Sequence, residues 1–511
     1  MLVKLFGSAV YGVEAITITI EVNVTEGLHT YVVGLADSAV KESVQRIESA
    51  IKSNGYLMPR TKLVINLAPA GIRKTGSAFD LPIALGVLAA SGQLPAEALK
   101  DYVIMGELGL DGHIHSIKGA LPMAIQARKE HFRGLLVPRS NGSEAAIVNQ
   151  LEVFSFSHLR EVIGFFHDRA GFQPVLVDAR TDFRSAVPAT ELDFSEVNGQ
   201  ESIKRAMEIT AAGGHNVILV GPPGAGKTML ARRLPGILPP LSLHEALETT
   251  RIHSVAGKLG EHTTLLSQRP FRNPHHTISG SALVGGGSIP QPGEISLAHN
   301  GILFLDELPE FDRGVLETMR QPMEERKVVI NRAKQSAEFP AAFILVAAMN
   351  PCPCGYYGHP TKDCTCPPGA IIRYLNRISG PLLDRIDLHV EVVPVPYERV
   401  AAGVAGESSD RIRERVLAAR ERQRRRYERL GFYCNAQMDS KSLGIWCKTD
   451  GQGEKLLQAA VDRLGYSMRA HNHLLKIGRT IADLAGSEVI REEHLSEAFQ
   501  FRSLDKAGWA G

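Results

Sequence analysis

The sequence predicts an α/β protein whose second half is a parallel sheet built on a phosphate-binding loop, followed by a helical C-terminal part. Three observations carry that expectation. Residues 221–228 read GPPGAGKT, directly after an apolar run of strand length (216–220) and directly before a helix-type pattern. Two more apolar runs, 301–305 and 342–348, alternate with polar and Gly-rich segments, as parallel strands do. Beyond residue 399 the spacing of apolar residues turns helical.

At 511 residues the chain exceeds a single core, so two to four domains are expected. A hydrophobic content of 44% and a charged content of 22% are ordinary globular values. The net charge of +2 leaves any basic surface to be local. The first 23 residues hold Lys4, Glu14 and Glu21 and no sustained apolar stretch, unlike a secretory signal. The longest apolar run, 339–349, is shorter than the ~20 residues that span a bilayer. The expected compartment is the cytoplasm, without a membrane partner, where clustered cysteines bind metal more often than they pair.

In chain order, residues 1–167 mix strand-type runs (16–24, 63–67) with a helical pattern over 38–54 and read as one compact α/β domain. Residues 168–192 are polar and aperiodic and read as a linker. Residues 193–398 carry the strand, loop and helix alternation, with a four-cysteine insertion at 352–366, and 399–511 form the helical part. Nine arginines between 411 and 429, interleaved with Glu414, Glu421 and Glu428, describe a salt-bridged helix; the cluster Arg424 to Arg426 also leaves an auxiliary DNA contact open.

The chemistry starts at the loop. Gly221, Pro222, Pro223, Gly224, Ala225 and Gly226 form a turn whose backbone N–H groups surround phosphates; Lys227 reaches the β- and γ-phosphates and the Thr228 hydroxyl ligates Mg²⁺. ATP and Mg²⁺ are therefore the expected cofactors. The run 302–305 ends in Asp306, suited to the magnesium shell, and Glu307, suited to polarising the attacking water. The run 342–349 ends in Asn350, whose amide would lie between the other two strands and position that water. Transfer of the γ-phosphoryl group spreads negative charge that an arginine can stabilise in cis or in trans. Arg385 and Arg469 are the candidates, although composition alone does not separate them from surface arginines.

Cys352, Cys354, Cys364 and Cys366 form two tight pairs around a Gly-containing loop, an arrangement that suits tetrahedral structural Zn²⁺. The alternative is four reduced, unligated thiols. His359, between the pairs, is a possible substitute ligand; Cys434 and Cys447 stand apart and read as ordinary.

The stretches VNGQESIKRAMEITAAGGHNVILVGPPGAGKT, FRNPHHTISGSALVGGG, GEISLAHNGILFLDELPEF, AMNPCPCGYYG, SGPLLDRIDLHVEV and GRTIADLAG occur in that order. Together they resemble an AAA+ ATPase of the magnesium-chelatase-like group, and the whole chain resembles the YifB/ComM family of competence proteins. The resemblance implies an AAA+ P-loop module with a helical C-terminal lid. It makes Asn350 the sensor-1 residue, Arg385 a finger reaching a neighbour's ATP and Arg469 the sensor-2 residue, and so implies a ring, a hexamer in this family. It also places two hairpins at the ring's pore, one over 285–295 within the second helix and one over 327–339. On the latter, Lys327, Arg332 and Lys334 are candidate contacts to a DNA backbone, or else cations that merely solvate its tip.

TKLVINLAPAGIRKTGSAFDLPIALGVLAASG and GELGLDGHIHSIKGALPMAIQA resemble the proteolytic domain of Lon, which implies a Lon-protease-like (ribosomal S5 domain 2-like) α/β fold for the first domain. The Lon serine position falls on Ala78 and the lysine position on Leu121, with Ser77 and Lys118 out of register, so the fold is expected without the peptidase chemistry. The leading expectation is an ATP-driven ring motor on single-stranded or branched DNA, a helicase or branch-migration enzyme with recombination proteins as possible partners. The alternatives are a metal-insertion chaperone like the ATPase subunit of magnesium chelatase, and an ATP-dependent protease.

Overall fold

The computed structural model describes residues 1–178, 183, 192–260, 263–287, 289–332, 335–395, 406–428, 430–464 and 467–502. The expected boundary at 398/399 and residues 179–182 and 184–191 of the expected linker lie outside these residues.

The first domain is built on one long hairpin. Strands β1 (Leu2–Tyr11) and β2 (Glu14–Thr25) pair antiparallel from Leu2↔Asn23 to Tyr11↔Glu14. The hairpin turns at Gly12, whose φ of 61° suits a residue without a Cβ. With β3 (Thr30–Val33), β4 (Lys62–Ala68), β5 (Tyr102–Ile104), β6 (Gly134–Pro138) and β7 (Glu152–Phe156) it forms a seven-stranded mixed sheet of order β3-β4-β2-β1-β5-β6-β7. Helix Ser38–Ser53 begins where the Asp37 carboxylate accepts the Val40 N–H at 2.9 Å. Helix Asp80–Ala90 is apolar all round because it is buried along its whole length. A Cβ on its Gly86 would lie 2.6 Å from Val22 on β2, so the helix can approach the sheet only with glycine there.

The first part of the expected linker belongs to this domain. Phe172 packs edge-on against Phe156 and Phe165, and the Val175 N–H donates to the Val153 carbonyl at 2.8 Å. The Arg169 guanidinium meets Glu152 at 2.5 Å. Two aromatic contacts and a backbone bond in a segment without periodicity explain why its composition suggested a tether.

The second domain holds β8 (Val217–Val220), β9 (Phe271–Arg272), β10 (Ile302–Leu305), a hairpin of β11 (Lys327–Arg332) and β12 (Gln335–Pro340), β13 (Ile344–Met349) and β14 (Leu388–Glu391). Five of them form a parallel sheet of order β9-β10-β13-β8-β14. Every residue of β8 and β10 is buried, as strands covered on both faces must be. The expected strand run over 342–349 is slightly long: β13 begins at Ile344.

The C-terminal part is helical as expected, over Ser409–Tyr427, Ser440–Trp446, Gly451–Leu464, Met468–Leu484 and Glu492–Gln500. The first of these turns much of its positive charge inward. Arg415 pairs with Glu208 and Glu407, Arg420 donates to the Ala211 carbonyl, Arg422 donates to the Asp483 carbonyl and Arg426 meets the buried Asp483 carboxylate at 2.6 Å. Arg424 and Arg425 are exposed but both pair with Glu421. The arginine-rich helix is a brace on the helices that flank the ATPase-type sheet, which weakens the auxiliary DNA contact.

The two domains meet along helices Ala120–Lys129 and Leu243–Ala256. The Gly119 N–H donates to the Ser254 carbonyl at 3.1 Å, the Ser254 hydroxyl bonds the buried Glu144 carboxylate, and Arg251 donates to the Val13 carbonyl at 3.0 Å.

Candidate nucleotide site

The loop hangs from the sheet by its own backbone. The Gly221 N–H donates to the Met349 carbonyl at 3.1 Å, joining the loop's start to the end of β13. Gly224 and Gly226 have φ of 78° and 86°, left-handed values that side chains disfavour. Helix Lys227–Ile237 starts immediately afterwards, so its first free N–H groups and the positive end of its dipole face the loop. Lys227 lies over the loop, and its ammonium donates to Gly221 O at 2.6 Å, Pro222 O at 2.9 Å and Asn350 Oδ1 at 3.0 Å. Burial draws its pKa below the usual lysine range, against the pull of Asp306 and Glu307.

β10 and β13 lie side by side, so their C-terminal ends bring Asp306, Glu307 and Asn350 to the loop. Thr228 Oγ1 donates to Asp306 Oδ2 at 2.7 Å. A hydroxyl and a carboxylate oxygen in contact are the hard donors Mg²⁺ takes, so the residues present fit the ion. Glu307 adopts φ 52°, ψ 48°, a left-handed conformation costing ~1–2 kcal/mol for a residue with a Cβ. Its N–H donates to Asp306 Oδ1 at 3.0 Å and its carboxylate stands 3.4 Å from His276 Nδ1. Among the described residues no hydrogen bond joins the Glu307 carboxylate to Thr228 or to the Asp306 side chain, which bond each other.

Arg385 and Arg469 are brought together, but at the other end of the sheet. Asn216, the residue before β8, donates through Nδ2 to the Arg385 carbonyl at 3.2 Å. From there Arg385 Nη2 and Arg469 Nη2 both reach Glu324 Oε1, at 2.5 and 2.8 Å. They line a cleft of about 720 Å³ between the sheet's N-terminal edge and the helical part. Burial lowers the Arg385 pKa, Glu324 opposes that and neighbouring Arg469 adds to it; the Arg385 Nε is buried without a hydrogen-bond partner. β8 is four residues long, ~13 Å at ~3.3 Å per residue, which is more than an arginine side chain spans. Neither arginine can serve the loop of its own chain in this conformation.

The two expected pore hairpins touch. Gly285–Gly286 pairs with Gln291–Pro292, short of the full 285–295 hairpin, and the Arg332 Nε donates to the Gly287 carbonyl at 3.2 Å. Arg332 sits near the tip of the β11/β12 hairpin. Lys327 sits at its base, where Glu338 of the facing strand meets the ammonium at 3.0 Å, with both side chains still partly exposed. Lys334 lies outside the described residues. The Tyr11 hydroxyl of the first domain donates to Ser336 O at 2.6 Å and accepts from Ser336 N at 3.2 Å.

The Sγ atoms of Cys352, Cys354, Cys364 and Cys366 all lie within 4.8 Å of one another. Hydrogen bonds from the Tyr356 backbone draw the Cys354 thiol down to about 5. His359 is corrected out of this set: its Nδ1 accepts the Thr361 and Lys362 N–H groups at 3.1 Å each. Cys434 and Cys447 are buried and apart from the cluster, as expected.

In the first domain Leu121 is fully buried and its N–H donates to Glu144, the carboxylate that also binds Ser254 of the second domain. The position of a Lon-type lysine is thus apolar and lies under the domain interface. Among the described residues no hydrogen bond joins Ser77 to Lys118, whose stem instead packs along Gly257.

Three functional features escaped the sequence reading. They are His276 beside Glu307, Glu324 between the two arginines, and Gln200, whose amide donates to the loop's Ala225 carbonyl at 3.0 Å. His276 and Gln200 lie inside the quoted motif stretches, which was the available signal. Glu324 carried none.

Comparison with known proteins finds three family matches along the chain. They are subunit ChlI of Mg-chelatase over residues 20–141, magnesium chelatase, subunit ChlI, over 193–400, and magnesium chelatase, subunit ChlI C-terminal, over 406–502. Protein YifB of Escherichia coli is 45% identical over 501 residues, 98% of this chain and 96% of that protein. Competence protein ComM of Haemophilus influenzae is 43% identical over 502 residues, 98% and 97% of the two chains. Lon protease 2 of Bacillus subtilis is 32% identical over 159 residues, 28% of this chain and 27% of that one.

Proposed function

Because the chain belongs to the YifB/ComM family of magnesium-chelatase-like AAA+ proteins, we propose that it is an ATP-hydrolysing ring motor on DNA, acting in recombination or natural transformation. The observation that carries the ring is the position of Arg385 and Arg469, a sheet's length from their own loop and aligned on Glu324. A site whose two candidate arginines line a cleft at the opposite edge of the sheet would be completed by a second copy. Six copies, as the family resemblance implies, would close it.

Within one site, Lys227 and the loop N–H groups bind the phosphates, Glu307 orients the water and Asn350 holds Lys227 in place. Mg²⁺ bound at Thr228 and Asp306 would neutralise charge on the phosphate oxygens. The thiol cluster takes a structural zinc ion. The exposed hairpin tip around Arg332, tied to the Gly-rich ladder at Gly287, supports a DNA backbone contact. The name of the Haemophilus relative supports a role in competence. Among the described residues no helix is long and apolar enough to cross a membrane, and the free thiols fit a cytoplasmic protein. The buried Leu121 argues against the protease reading.

The test is ATP-driven unwinding or branch migration of labelled three- and four-way DNA, with Glu307→Gln as the inactive control. Activity in the wild type alone is expected. Failure to bind DNA, together with hydrolysis that DNA does not stimulate, would overturn the motor.

A further inference from the structure

The four-cysteine insertion is attached to the nucleotide pocket at two points. Its first cysteine, Cys352, is fully buried and follows Asn350 by two residues. Asn350 in turn accepts the Lys227 ammonium at 3.0 Å. The second point is Gly355. It turns the chain between the cysteine pairs with φ 85°, and its N–H donates to the Cys352 carbonyl at 3.0 Å. A Cβ there would lie 2.5 Å from Pro223 Cδ and 3.1 Å from Pro223 Cγ. The turn is therefore pressed against the phosphate loop, closely enough that any side chain would push the two apart.

The thiols themselves are set for one ion. Cys352 and Cys354 Sγ are 3.3 Å apart, and each is 3.6 Å from Cys364 Sγ. Four sulfurs around one tetrahedral Zn²⁺ at ~2.3 Å would be ~3.8 Å apart, close to these separations and too near one another to enclose an iron–sulfur cluster. Backbone N–H groups already point at two of the sulfurs, Cys354 N–H at Cys366 Sγ and Tyr357 N–H at Cys352 Sγ, both at 3.3 Å. Such bonds satisfy thiolate ligands in an outer shell. Pro353, Pro360, Pro367 and Pro368 limit the backbone, but the segment between the pairs contributes almost no apolar core, with Tyr357, Gly358, Pro360, Thr361, Lys362 and Asp363 all exposed. Without a metal, little else would hold the Gly355 turn to Pro223.

We infer that Cys352, Cys354, Cys364 and Cys366 bind a single zinc ion that braces the ATP pocket. The metal clamps the Gly355 turn against Pro223 and fixes the strand end carrying Asn350 behind Lys227. The inference deepens the zinc and ATP reading given above and rests on it. It makes nucleotide affinity depend on a metal that touches neither nucleotide nor magnesium.

The experiment uses the full chain. Zinc is quantified in the purified protein, then released with a mercurial and a chelator, and restored after thiol addition. At each stage MgATP affinity is measured with a fluorescent ATP analogue, and folding by circular dichroism and thermal melting. One zinc per chain is expected. Its removal is expected to weaken MgATP binding by roughly tenfold or more, as sub-ångström to ångström shifts of positioning groups do, with recovery on adding zinc back. Gly355→Ala, which keeps all four thiols, should retain zinc yet lose affinity to a similar extent. The variant Cys364→Ser serves as the zinc-deficient control if its melting transition is retained. Absence of zinc with all four thiols freely alkylated overturns the site. Zinc that can be removed from folded protein with unchanged MgATP affinity overturns the brace and leaves the site standing. A zinc-loaded wild type that binds no MgATP would instead overturn the ATPase reading.

Discussion

Removing one arginine and one lysine from different copies of the chain separates a site completed by a neighbour from one completed within a chain. Arg385→Ala removes the guanidinium that the fold holds at the N-terminal edge of the sheet, with its backbone carbonyl on Asn216. Lys227→Ala disables the loop at the opposite edge. An arginine stabilising the transferred phosphoryl group is worth ~10³–10⁵ in turnover, so each variant alone should hydrolyse ATP at about a thousandth of the wild-type rate or less. The four residues of β8 put ~13 Å between the two edges, so under the proposed ring the arginine serving a given loop would come from another copy. In rings mixed 1:1 from the two variants, a working interface needs an intact loop from an Arg385→Ala copy and an intact arginine from a Lys227→Ala copy. With random, closed assembly about one interface in four satisfies both, so hydrolysis should recover to about a quarter of wild type. The assay is steady-state phosphate release across mixing ratios, with subunit exchange confirmed by fluorescence transfer. A mixture that exchanges subunits and still shows only the sum of its inactive parts would refute trans completion.

Other outcomes follow from the same geometry. Glu307→Gln should lower hydrolysis by ~10²–10⁴ while leaving MgATP binding intact, as measured by turnover and nucleotide titration, because the carboxylate makes no hydrogen bond to the Thr228–Asp306 pair among the described residues. DNA affinity should fall with salt, and Arg332→Ala should reduce the slope of log K against log salt by about 1 in fluorescence anisotropy, whereas Lys327→Ala, whose ammonium is held by Glu338, should leave the slope unchanged. Phe304→Ala, in the fully buried centre of β10, should cost ~3–5 kcal/mol in denaturant unfolding.

What could be read from the chain beforehand was whatever short-range chemistry encodes. Strands buried on both faces announce themselves as apolar runs, and GPPGAGKT between a strand and a helix admits few other structures. Asp306, Glu307 and Asn350 were legible because each ends such a run, and parallel pairing then carries them to one edge. Glu324 was not, since an exposed glutamate in a helix acquires meaning only when Arg385 and Arg469, 61 and 145 residues further along, fold onto it. The Lys327–Glu338 pair was hidden for a related reason: hairpin register places Glu338 beside Lys327, and register depends on pairing across the turn. His359 lay between two cysteine pairs, yet the loop turns its ring toward the backbone of its own next residues. The stretch after residue 167 looked like a tether because a handful of contacts, at Arg169, Phe172 and Val175, suffices to lay a polar segment onto an existing edge.

The pair of hydrogen bonds between Tyr11 and Ser336 gives the first domain a mechanical part to play. Tyr11 ends a strand that is zipped to its neighbour over its full ten residues, so its hydroxyl is mounted on a stiff beam anchored in the seven-stranded sheet. Ser336 belongs to the hairpin whose tip would grip the DNA. Under the proposed motor, a stroke of that hairpin would either break the latch or transmit its pull along the beam, with the first domain as the frame it pushes against.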